Sequence, residues 1–440
     1  MKSTVTFAAA CILVSFAGIA MAQPDTWGHW RGDGGNGIAK DANPPVRWSD
    51  QQNVKWKVEI AGKGSGSPVV WGDNVFVVTG VPTNPNRKPA NVQQRPGGRR
   101  GFGRSAPLEE LQFKLICFDR NDGSRKWEQI ATTATPHENT HSTNNFAPAS
   151  PCTDGQHVFA HFGSRGLYCY TMDGKPVWKK TDFEPMQTRN EFGEGSSPTL
   201  VDDKIIVPYD HDGQSYLYAL DKKTGEEIWK TPRDEPTNWS TPLIVEHNGR
   251  KQVVMNGQNN AASYDLETGK ELWHCGGQTQ RPCASAVAAN GRIVVTSGFR
   301  GSFLGVFRPD GKGDIEGTEH VAWTLNRDTP DIASPLLSGN RLYFFKAKTG
   351  ILSCYNLETG KPFYTATRVN GLDTIYASPI AAGGHVYLTS RNGTTVVIKD
   401  AETFEVVATN SVGETVDATP APVDNELFIR GEKHLFCITN

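Results

Sequence analysis

The chain has 440 residues, and its 45 basic and 47 acidic side chains leave a formal net charge of −2. A charge this close to zero gives no support to a nucleic-acid or charged membrane-surface partner, since both attract an excess of positive charge. The 45 Gly, 27 Pro and 11 Trp indicate many short strands joined by turns, not a helical protein.

The first 22 residues are predicted to be a signal peptide. Lys2 supplies the positive end, residues 5–20 form an apolar stretch, and Ala20-Met21-Ala22 is a suitable cleavage site. The apolar stretch is shorter than the roughly 18 residues that a membrane span needs, and Cys11 lies inside it instead of ending it. We therefore expect an exported protein, periplasmic or secreted, that is neither a lipoprotein nor membrane-spanning.

The rest of the chain repeats one pattern. Three stretches have nearly the same sequence motif: an apolar strand, an Asp/Asn-x-x-Thr-Gly turn and a second strand. They end at Trp229, Trp273 and Tyr364. A small residue and Pro before an apolar strand recur at Ser67-Pro68, Ser150-Pro151, Ser197-Pro198, Thr241-Pro242, Ser334-Pro335, Ser378-Pro379 and Thr419-Pro420, with Ser285-Ala286 in the remaining slot. A period near 44 residues with about four short strands per unit is typical of a β-propeller blade.

Eight such units predict an all-β, eight-bladed β-propeller of four-stranded antiparallel blades with strands A to D. The chain ends at Asn440 after the C strand of blade eight, and a spare strand containing Trp56 precedes blade one. We expect the Trp56 strand to complete blade eight, because an unpaired sheet edge would otherwise stay exposed. Residues 23–440 would then form a single propeller, and its Pro-, Gly- and Arg-rich insertion in blade one, residues 81–110, is predicted to be a disordered loop.

These repeats resemble the pyrroloquinoline-quinone-type repeat of quinoprotein alcohol dehydrogenases and of the lipoprotein propeller of outer-membrane protein assembly. The resemblance extends over residues 45–440 and implies two alternative functions. One is a ligand- or protein-binding scaffold; the other is a quinone-dependent dehydrogenase, oxidising an alcohol or a sugar, with the cofactor over the central channel. In the enzymes the quinone lies against a disulfide of adjacent cysteines, beside a Ca²⁺ ion. This chain has no adjacent cysteine pair, so we favour the scaffold and assign no catalytic residue.

The cysteines divide into two groups. Cys117, Cys169, Cys354 and Cys437 occupy one position of the C strand, where neighbouring sheets stack about 10 Å apart, too far for a disulfide. They are interpreted as packing residues. Cys275 and Cys283 flank one connection and could form a disulfide in an oxidising compartment.

The connecting loops fall on two faces of the ring. The A–B and C–D connections are short, similar turns, whereas the D–A and B–C connections share the other face and carry all of the irregular sequence. Loops on a rigid frame usually carry function, so the channel mouth on this face is the candidate site. The candidate ligand-binding residues there are His137, His141, Asp210, His211, Asp212, Arg300, Arg391 and Arg430.

Two kinds of site are open on this face. His137, His141, Asp210 and His211 form a weak candidate set for a metal such as Zn or Mn, or else hydrogen bonds between loops. The arginines could hold an anion such as a quinone carboxylate, or remain solvated charges on the rim. The expected partner is a small anionic ligand, a polysaccharide or a protein, bound to a monomeric propeller.

Overall fold

The computed structural model describes residues 26–84 and 108–440. The predicted signal peptide and residues 85–107 of the predicted insertion lie outside the described residues. The remaining ends of that insertion are more ordered than predicted: the B strand continues to Pro82, which pairs with Leu111 at the start of the C strand. The fold class is confirmed, since eight antiparallel sheets of about four strands each follow one another along the chain.

Each blade contributes its strands in the order A to D. Blades one to four contain Val69–Trp71, Asn74–Pro82, Leu111–Asp119 and Arg125–Ala134; Cys152–Thr153, His157–His161, Leu167–Thr171 and Pro176–Lys180; Thr199–Val201, Lys204–Tyr209, Ser215–Asp221 and Glu227–Arg233; and Leu243–His247, Arg250–Met255, Ala261–Asp265 and Glu271–Cys275. Blades five to eight contain Val287–Ala289, Arg292–Ser297, Phe303–Phe307 and Val321–Leu325; Leu336–Ser338, Arg341–Phe345, Ile351–Asn356 and Pro362–Arg368; Ile380–Ala382, His385–Thr389, Thr394–Lys399 and Val406–Ser411; and Ala421–Val423, Glu426–Arg430, His434–Thr439 and the N-terminal Val54–Glu59.

Three short strands add to these blades: Thr26–Trp27 to blade one, Gly313–Asp314 to blade four and Ile38–Ala39 to blade seven. Two 3₁₀ turns, Gly163–Arg165 and Arg189–Glu191, lie in the loops. No helix among the described residues is long and apolar enough to cross a membrane.

The repeated D-strand Trp packs between blades, as predicted. In five blades its indole N–H donates to a backbone carbonyl in the C–D turn of the next blade, and the turn's Gly lies against the ring. In blade four Trp273 instead donates to Gln252 Oε1 of its own blade at 3.2 Å. A Cβ on Gly123, for example, would lie 2.8 Å from Trp56, and the same Gly has a φ of +75°. The donor–acceptor pairs are Trp56–Arg120, Trp127–Met172, Trp178–Lys222, Trp229–Leu266 and Trp323–Leu357. The Trp-and-Gly repeat is therefore a blade-to-blade contact, not a ligand-stacking motif.

A chain of buried hydroxyls joins seven pairs of neighbouring blades on the channel side. In each pair the backbone N–H of the Ser or Thr that opens one A strand donates to the hydroxyl of its counterpart in the next blade. The pairs are Ser67–Ser150, Ser150–Ser197, Ser197–Thr241, Thr241–Ser285, Ser285–Ser334, Ser334–Ser378 and Ser378–Thr419. At seven of the eight positions the small residue of the repeat is thus a Ser or Thr whose hydroxyl accepts this bond.

The eighth seam, between blades eight and one, is built differently. Among the described residues no hydrogen bond joins Thr419 to Ser67; instead Arg430 Nη1 donates to the carbonyl oxygens of Gly66 at 3.3 Å and Val78 at 2.5 Å. On the opposite face of the ring this seam carries a cluster of ion pairs. They are Arg120–Asp424 at 2.5 Å, Arg120–Glu426 at 2.6 Å and Lys55–Glu426 at 2.6 Å.

The outer strand of blade eight comes from the N-terminal part of the chain. Val54–Glu59 pairs antiparallel with His434–Thr439, and Trp56 lies opposite Cys437 instead of pairing with Phe118 of blade one. That this strand is needed to hold the ring closed stays a prediction.

The segment before this strand crosses the channel. Within the twelve residues 28–39 it contacts the A strands of blades two, three and six and then runs beside that of blade seven, and Arg31 is wholly buried there. The contacts are Thr153 N–Gly28 O at 2.8 Å, His29 Nε2–Pro198 O at 2.8 Å, Arg31 Nη2–Pro335 O at 2.7 Å, Arg31 Nη2–Pro379 O at 3.3 Å, and the parallel pairing of Ile38–Ala39 with Ala381–Ala382. The channel is therefore filled from the side of the A–B turns and open toward the D–A and B–C loops.

Candidate functional site: a central cavity on the loop face

A cavity of about 430 Å³ opens at the centre of the D–A and B–C face. Its floor consists of the indole of Trp30, from the crossing segment, and the hydroxyl-bearing residues of the inner ring. Those residues are Ser67, Ser150, Ser197, Thr241, Ser378 and Thr419. Because every blade supplies its A strand to this ring, the floor is fixed by the fold, while the walls vary with the loops.

Aromatic rings and cations alternate along one side of the wall. The guanidinium carbon of Arg281 lies 3.4 Å from the ring centroid of Phe299 and 5.1 Å from that of Phe192. Across the mouth, Arg391 lies 4.7 Å and Lys348 lies 5.8 Å from the ring of Tyr376. Cations held on ring faces keep their charge directed toward a bound molecule and offer flat surfaces beside it.

Two of these three cations are neutralised by carboxylates. Arg391 pairs with Asp417 at 2.6 Å, and Lys348 with Asp331 at 3.3 Å. Burial raises the pKa of Asp417 above its ordinary value even though Arg391 acts in the opposite direction.

Arg281 is the exception. It forms no ion pair among the described residues, and its Nε is buried without a hydrogen-bond partner. Burial lowers its pKa, an effect that Cys283 and Asp331 oppose and that Arg300 and Arg189 reinforce. Arg281 and Arg300 both have a φ of +54°, a strained conformation for a residue with a side chain, which is found preferentially at functional sites. The cavity thus contains one cation whose charge and donors are not satisfied within the described protein.

The structure brings together only some of the predicted site residues. His141 lines the cavity. Arg391 lies behind the lining, 4.7 Å from the ring of Tyr376, and Arg300 stands exposed at the rim, 5.3 Å from the ring of Phe299. The His141 ring meets Phe192 edge-on and bonds Thr143 at 2.8 Å. Burial and the neighbouring cations, Lys348 first, lower its pKa.

The remaining candidates on blades two and three lie elsewhere. Asp210 is buried in an ion pair with Arg233 at 2.8 Å and accepts from Asn238 at 2.5 Å. His211 Nδ1 accepts from backbone N–H groups at 3.1 and 3.2 Å, and burial lowers its pKa. Asp212 pairs with Arg189 at 3.2 Å and bonds Thr237, interactions that lower its pKa against the effect of burial.

His137 binds the carbonyl oxygen of Met186 at 2.6 Å. The four weak metal candidates therefore have separate protein partners, and no group of three or more His, Cys, Asp or Glu side chains in residues 26–84 and 108–440 is arranged to hold a metal ion. The contacts favour the interpretation that these residues form hydrogen bonds between loops, not a metal site.

Cys275 and Cys283, which could form a disulfide by their sequence positions, are not bridged in this structure. Both thiols are free. Cys275 is packed in the apolar core between blades four and five, whereas Cys283 lies in the lining of the central cavity. Burial raises the pKa of Cys283 to about 12, so its thiol is held in the unreactive neutral form.

Several lining residues are not among the candidates that the sequence singles out. They are Trp30, Phe192, Trp239, Phe299, Asp331, Lys348, Tyr376 and Asp417. Most of them lie in D–A loops, and Trp239 stands two residues before a repeat Thr-Pro. Closeness to the Ser/Thr-Pro element is therefore the feature of the sequence that could have identified them. Arg281 is recognisable from the sequence as a basic residue of this face, but nothing in the sequence sets it apart from the other basic residues.

The lining of the central cavity suits the quinone of the quinone–calcium pair but not the calcium ion. Aromatic faces and an unpaired guanidinium suit a flat molecule that carries carboxylates. The acidic side chains Asp331 and Asp417 are each engaged by a cation, and the part of the chain that the structure describes offers no acidic cluster for Ca²⁺. We therefore derive no chemical step that involves the calcium ion.

The fold and this cavity define a propeller of the quinoprotein type. Residues 112–366 match the family model described as outer membrane protein assembly factor BamB, which is more than half of the chain. The chain therefore belongs to this family.

Relatives of two kinds are found by sequence. A quinoprotein ethanol dehydrogenase of Pseudomonas putida is 25% identical over 268 residues, covering 50% of this chain and 41% of its own length. An outer membrane protein assembly factor BamB of Yersinia pestis is 24% identical over 228 residues, 47% of this chain and 54% of its own length. The matched part thus spans about half or less of these relatives.

Solved structures share the fold. Quinohemoprotein alcohol dehydrogenase from Comamonas testosteroni has a TM-score of 0.63 at 12% identity, with 94% of this chain and 80% of that chain covered. A europium-containing methanol dehydrogenase has a TM-score of 0.60 at 10% identity, with 95% and 99% covered. At these identities the likeness concerns the fold alone.

Proposed function

We propose that this protein is an exported binding propeller whose central cavity takes a flat, anionic ligand. The observation that carries the proposal is Arg281, a guanidinium 3.4 Å from the ring of Phe299 that has no carboxylate partner among the described residues. An unpaired cation in a concave, partly dehydrated site attracts an anion more strongly than one on an open surface.

The rest of the lining supports the same ligand class. The rings of Phe192, Tyr376 and Trp239 offer flat apolar surface, and the floor offers hydroxyls. A cavity of about 430 Å³ lies in the size range of sites for small molecules. Export is supported by the sequence of residues 1–22, and binding of a protein to the same loop face by the relative that is named for outer-membrane protein assembly.

Calorimetric titration with two flat polycarboxylates, trimesate and pyrroloquinoline quinone, tests the proposal. We expect both to bind, and Arg281→Ala to weaken binding roughly tenfold to a hundredfold, because a hydrogen bond to a charged group contributes about 1.5–3 kcal/mol. Arg125→Ala is the matched control, since Arg125 is exposed on the opposite side of blade one and pairs with Glu128 at 2.7 Å.

Equal affinity of the Arg281→Ala variant and the unaltered protein would contradict the proposal. So would the absence of binding of either compound to the unaltered protein, which would leave the loop face as a surface for a protein partner.

A second candidate is a quinone-dependent dehydrogenase that uses the same cavity. The aromatic and cationic lining favours it, because these side chains would hold and orient a carboxylated quinone, which supplies the oxidising power when bound. Dye reduction with an alcohol or a sugar, after addition of pyrroloquinoline quinone and Ca²⁺, separates the two candidates. Quinone binding without substrate-dependent dye reduction supports the binding propeller.

A further inference from the structure

The eighth seam contains a second cavity, next to the central one. It has a volume of about 140 Å³ and lies on the loop face between blades seven, eight and one. Its wall is shared with the central cavity at Ser65, Thr143, Asn144 and Asp417.

Arg430 is the main charged group of this seam pocket. Its side chain is buried, with the residue only 3% exposed, and it forms no ion pair among the described residues. Nη1 is used by two backbone carbonyls, but the buried Nε has no hydrogen-bond partner. Burial without a counter-charge lowers the pKa of Arg430 to about 9.

The remaining charges of the seam pocket leave an excess of positive charge. Lys63 is exposed in the lining and forms no ion pair within the described parts of the chain, and Arg391 is neutralised by Asp417. Glu432 is the other acidic group in the lining. The cations Lys63, Arg391 and Arg430 thus face two carboxylates, one of which is already engaged.

The backbone is adapted to this guanidinium. A Cβ on Gly64 would lie 2.4 Å from Arg430 Nη2, so a glycine is needed where the loop passes the side chain. Ser65, Ser142, Thr143 and Asn145 make the rest of the lining polar, and Asn145 Nδ2 already donates to Ser65 Oγ at 3.0 Å.

We infer that the seam pocket is a binding site for a compact oxyanion, such as a phosphate, a sulfate or the carboxylate of a larger molecule, held by Arg430 and Lys63. Its position beside the central cavity would let one ligand place its ring in the centre and an acidic group in the seam, and this second part rests on the proposed function. A free inorganic anion would use the same donors.

Titration calorimetry with inorganic phosphate, and with sulfate as an analogue that does not titrate, tests the site. Lys63→Gln is the primary variant, because the exposed Lys63 side chain forms no hydrogen bond within the described chain and its loss should not affect folding. We expect it to weaken anion binding about tenfold, in the range of one charge-assisted hydrogen bond. Lys57→Gln is the control: Lys57 lies on the neighbouring outer strand against Phe436 and should leave binding unchanged.

Arg430→Gln should abolish anion binding, with its fold checked by circular dichroism because Arg430 also joins two blades. Arg281→Ala, which tests the central cavity, should leave phosphate binding intact. Equal phosphate affinity in the Lys63→Gln and Lys57→Gln variants would overturn the inference, as would phosphate binding that is lost with Arg281→Ala but kept with Lys63→Gln.

Competition separates the two sources of the anion. If trimesate displaces phosphate in the unaltered protein but not in Arg281→Ala, the seam pocket holds an acidic group of the central ligand. If phosphate binds equally in the presence of trimesate, the seam pocket is an independent anion site.

Discussion

Seven seams of this propeller use one device, and the eighth uses another. In the seven, a buried Ser or Thr hydroxyl accepts a backbone N–H from the preceding blade at 2.7–3.1 Å. At the eighth, Arg430 donates to the carbonyl oxygen of Val78, Arg120 pairs with Glu426, and the outer strand of blade eight comes from the N-terminal part of the chain. The eighth seam also carries a buried cation without an ion-pair partner among the described residues, Arg430, and a cavity of its own.

The difference has a cause in chain order. Blades two to seven are continuous along the sequence, so each can use the repeat's own contacts with its neighbours. Blade eight is assembled from both parts of the chain, and the loop after its outer strand, which contains Lys63 and Gly64, lies outside the repeat. A break in the repeat thus places irregular, charged sequence beside the central cavity.

The largest effect should come from removing the outer strand of blade eight. Deletion of residues 50–60 would expose the edge of His434–Thr439 and remove the ion pair of Lys55 with Glu426. We expect aggregation and loss of a cooperative melt, because open sheet edges pair with other molecules. Size-exclusion chromatography checks this, and a monomer with an unchanged melting temperature would show that the strand is not needed for closure.

Single Trp substitutions compare the eighth seam with a repeated seam by a smaller change than a deletion. Trp56→Ala at the eighth seam and Trp178→Ala between blades two and three each remove an indole and its hydrogen bond to the next blade. We expect each to cost roughly 3–5 kcal/mol of unfolding free energy, and Trp56→Ala the more, since Trp56 is more deeply buried. Urea denaturation measures both, and a smaller loss for Trp56→Ala would contradict this ranking.

The contribution of the hydroxyl link to stability can be measured by comparing one repeated seam with the eighth seam. Ser285 Oγ accepts the N–H of Thr241 at 2.7 Å, whereas no hydrogen bond joins Ser67 Oγ to Thr419 within the described residues. Ser285→Ala should cost about 1–3 kcal/mol, because a buried N–H loses its acceptor, and Ser67→Ala less than about 1 kcal/mol. Equal losses in thermal or urea unfolding would mean that the hydroxyl chain does not stabilise the seams.

The fold could be predicted from the sequence because the repeated residues make the same contacts from blade to blade. The Ser/Thr-Pro position is the hydroxyl link, and the D-strand Trp with the turn Gly is the outer contact, so both recur with the period of the blade. No repeated sequence pattern predicts the crossing segment around Trp30 and Arg31, because it makes each of its contacts once and with a different blade. Its place in the channel follows only from the closed ring.

The site was less predictable for a related reason. Arg281 differs from Arg391 only in lacking a carboxylate partner, and the partner of Arg391, Asp417, comes from another loop. Likewise Asp210 is a metal candidate by residue type, but Arg233, at the end of the D strand of the same blade, neutralises it. Which charges cancel depends on pairs brought together by folding, and residue types and spacing do not contain that information.

The smallest expected effect concerns pH, and it should appear at the eighth seam alone. The seven hydroxyl links contain no titratable group, but the seam pocket contains Asp417, whose pKa is raised because it is buried, an effect that Glu432 reinforces and Arg391 opposes. As the pH falls through this raised pKa, Asp417 takes up a proton and Arg391 loses its counter-charge. The pocket becomes more positive, so sulfate should bind a few-fold more tightly at about pH 4 than at about pH 7.

Asp417→Asn separates this effect from other groups that titrate nearby, such as His141 in the central cavity. An asparagine is neutral throughout, so at about pH 7 the variant should bind sulfate more tightly than the unaltered protein does, and its affinity should change less with pH. Asp331→Asn is the matched control, since Asp331 pairs with Lys348 in the central cavity and lies outside the seam pocket. If Asp417→Asn kept the pH dependence of the unaltered protein, or if Asp331→Asn removed it, the carboxylate at the eighth seam would not be the group that controls anion binding.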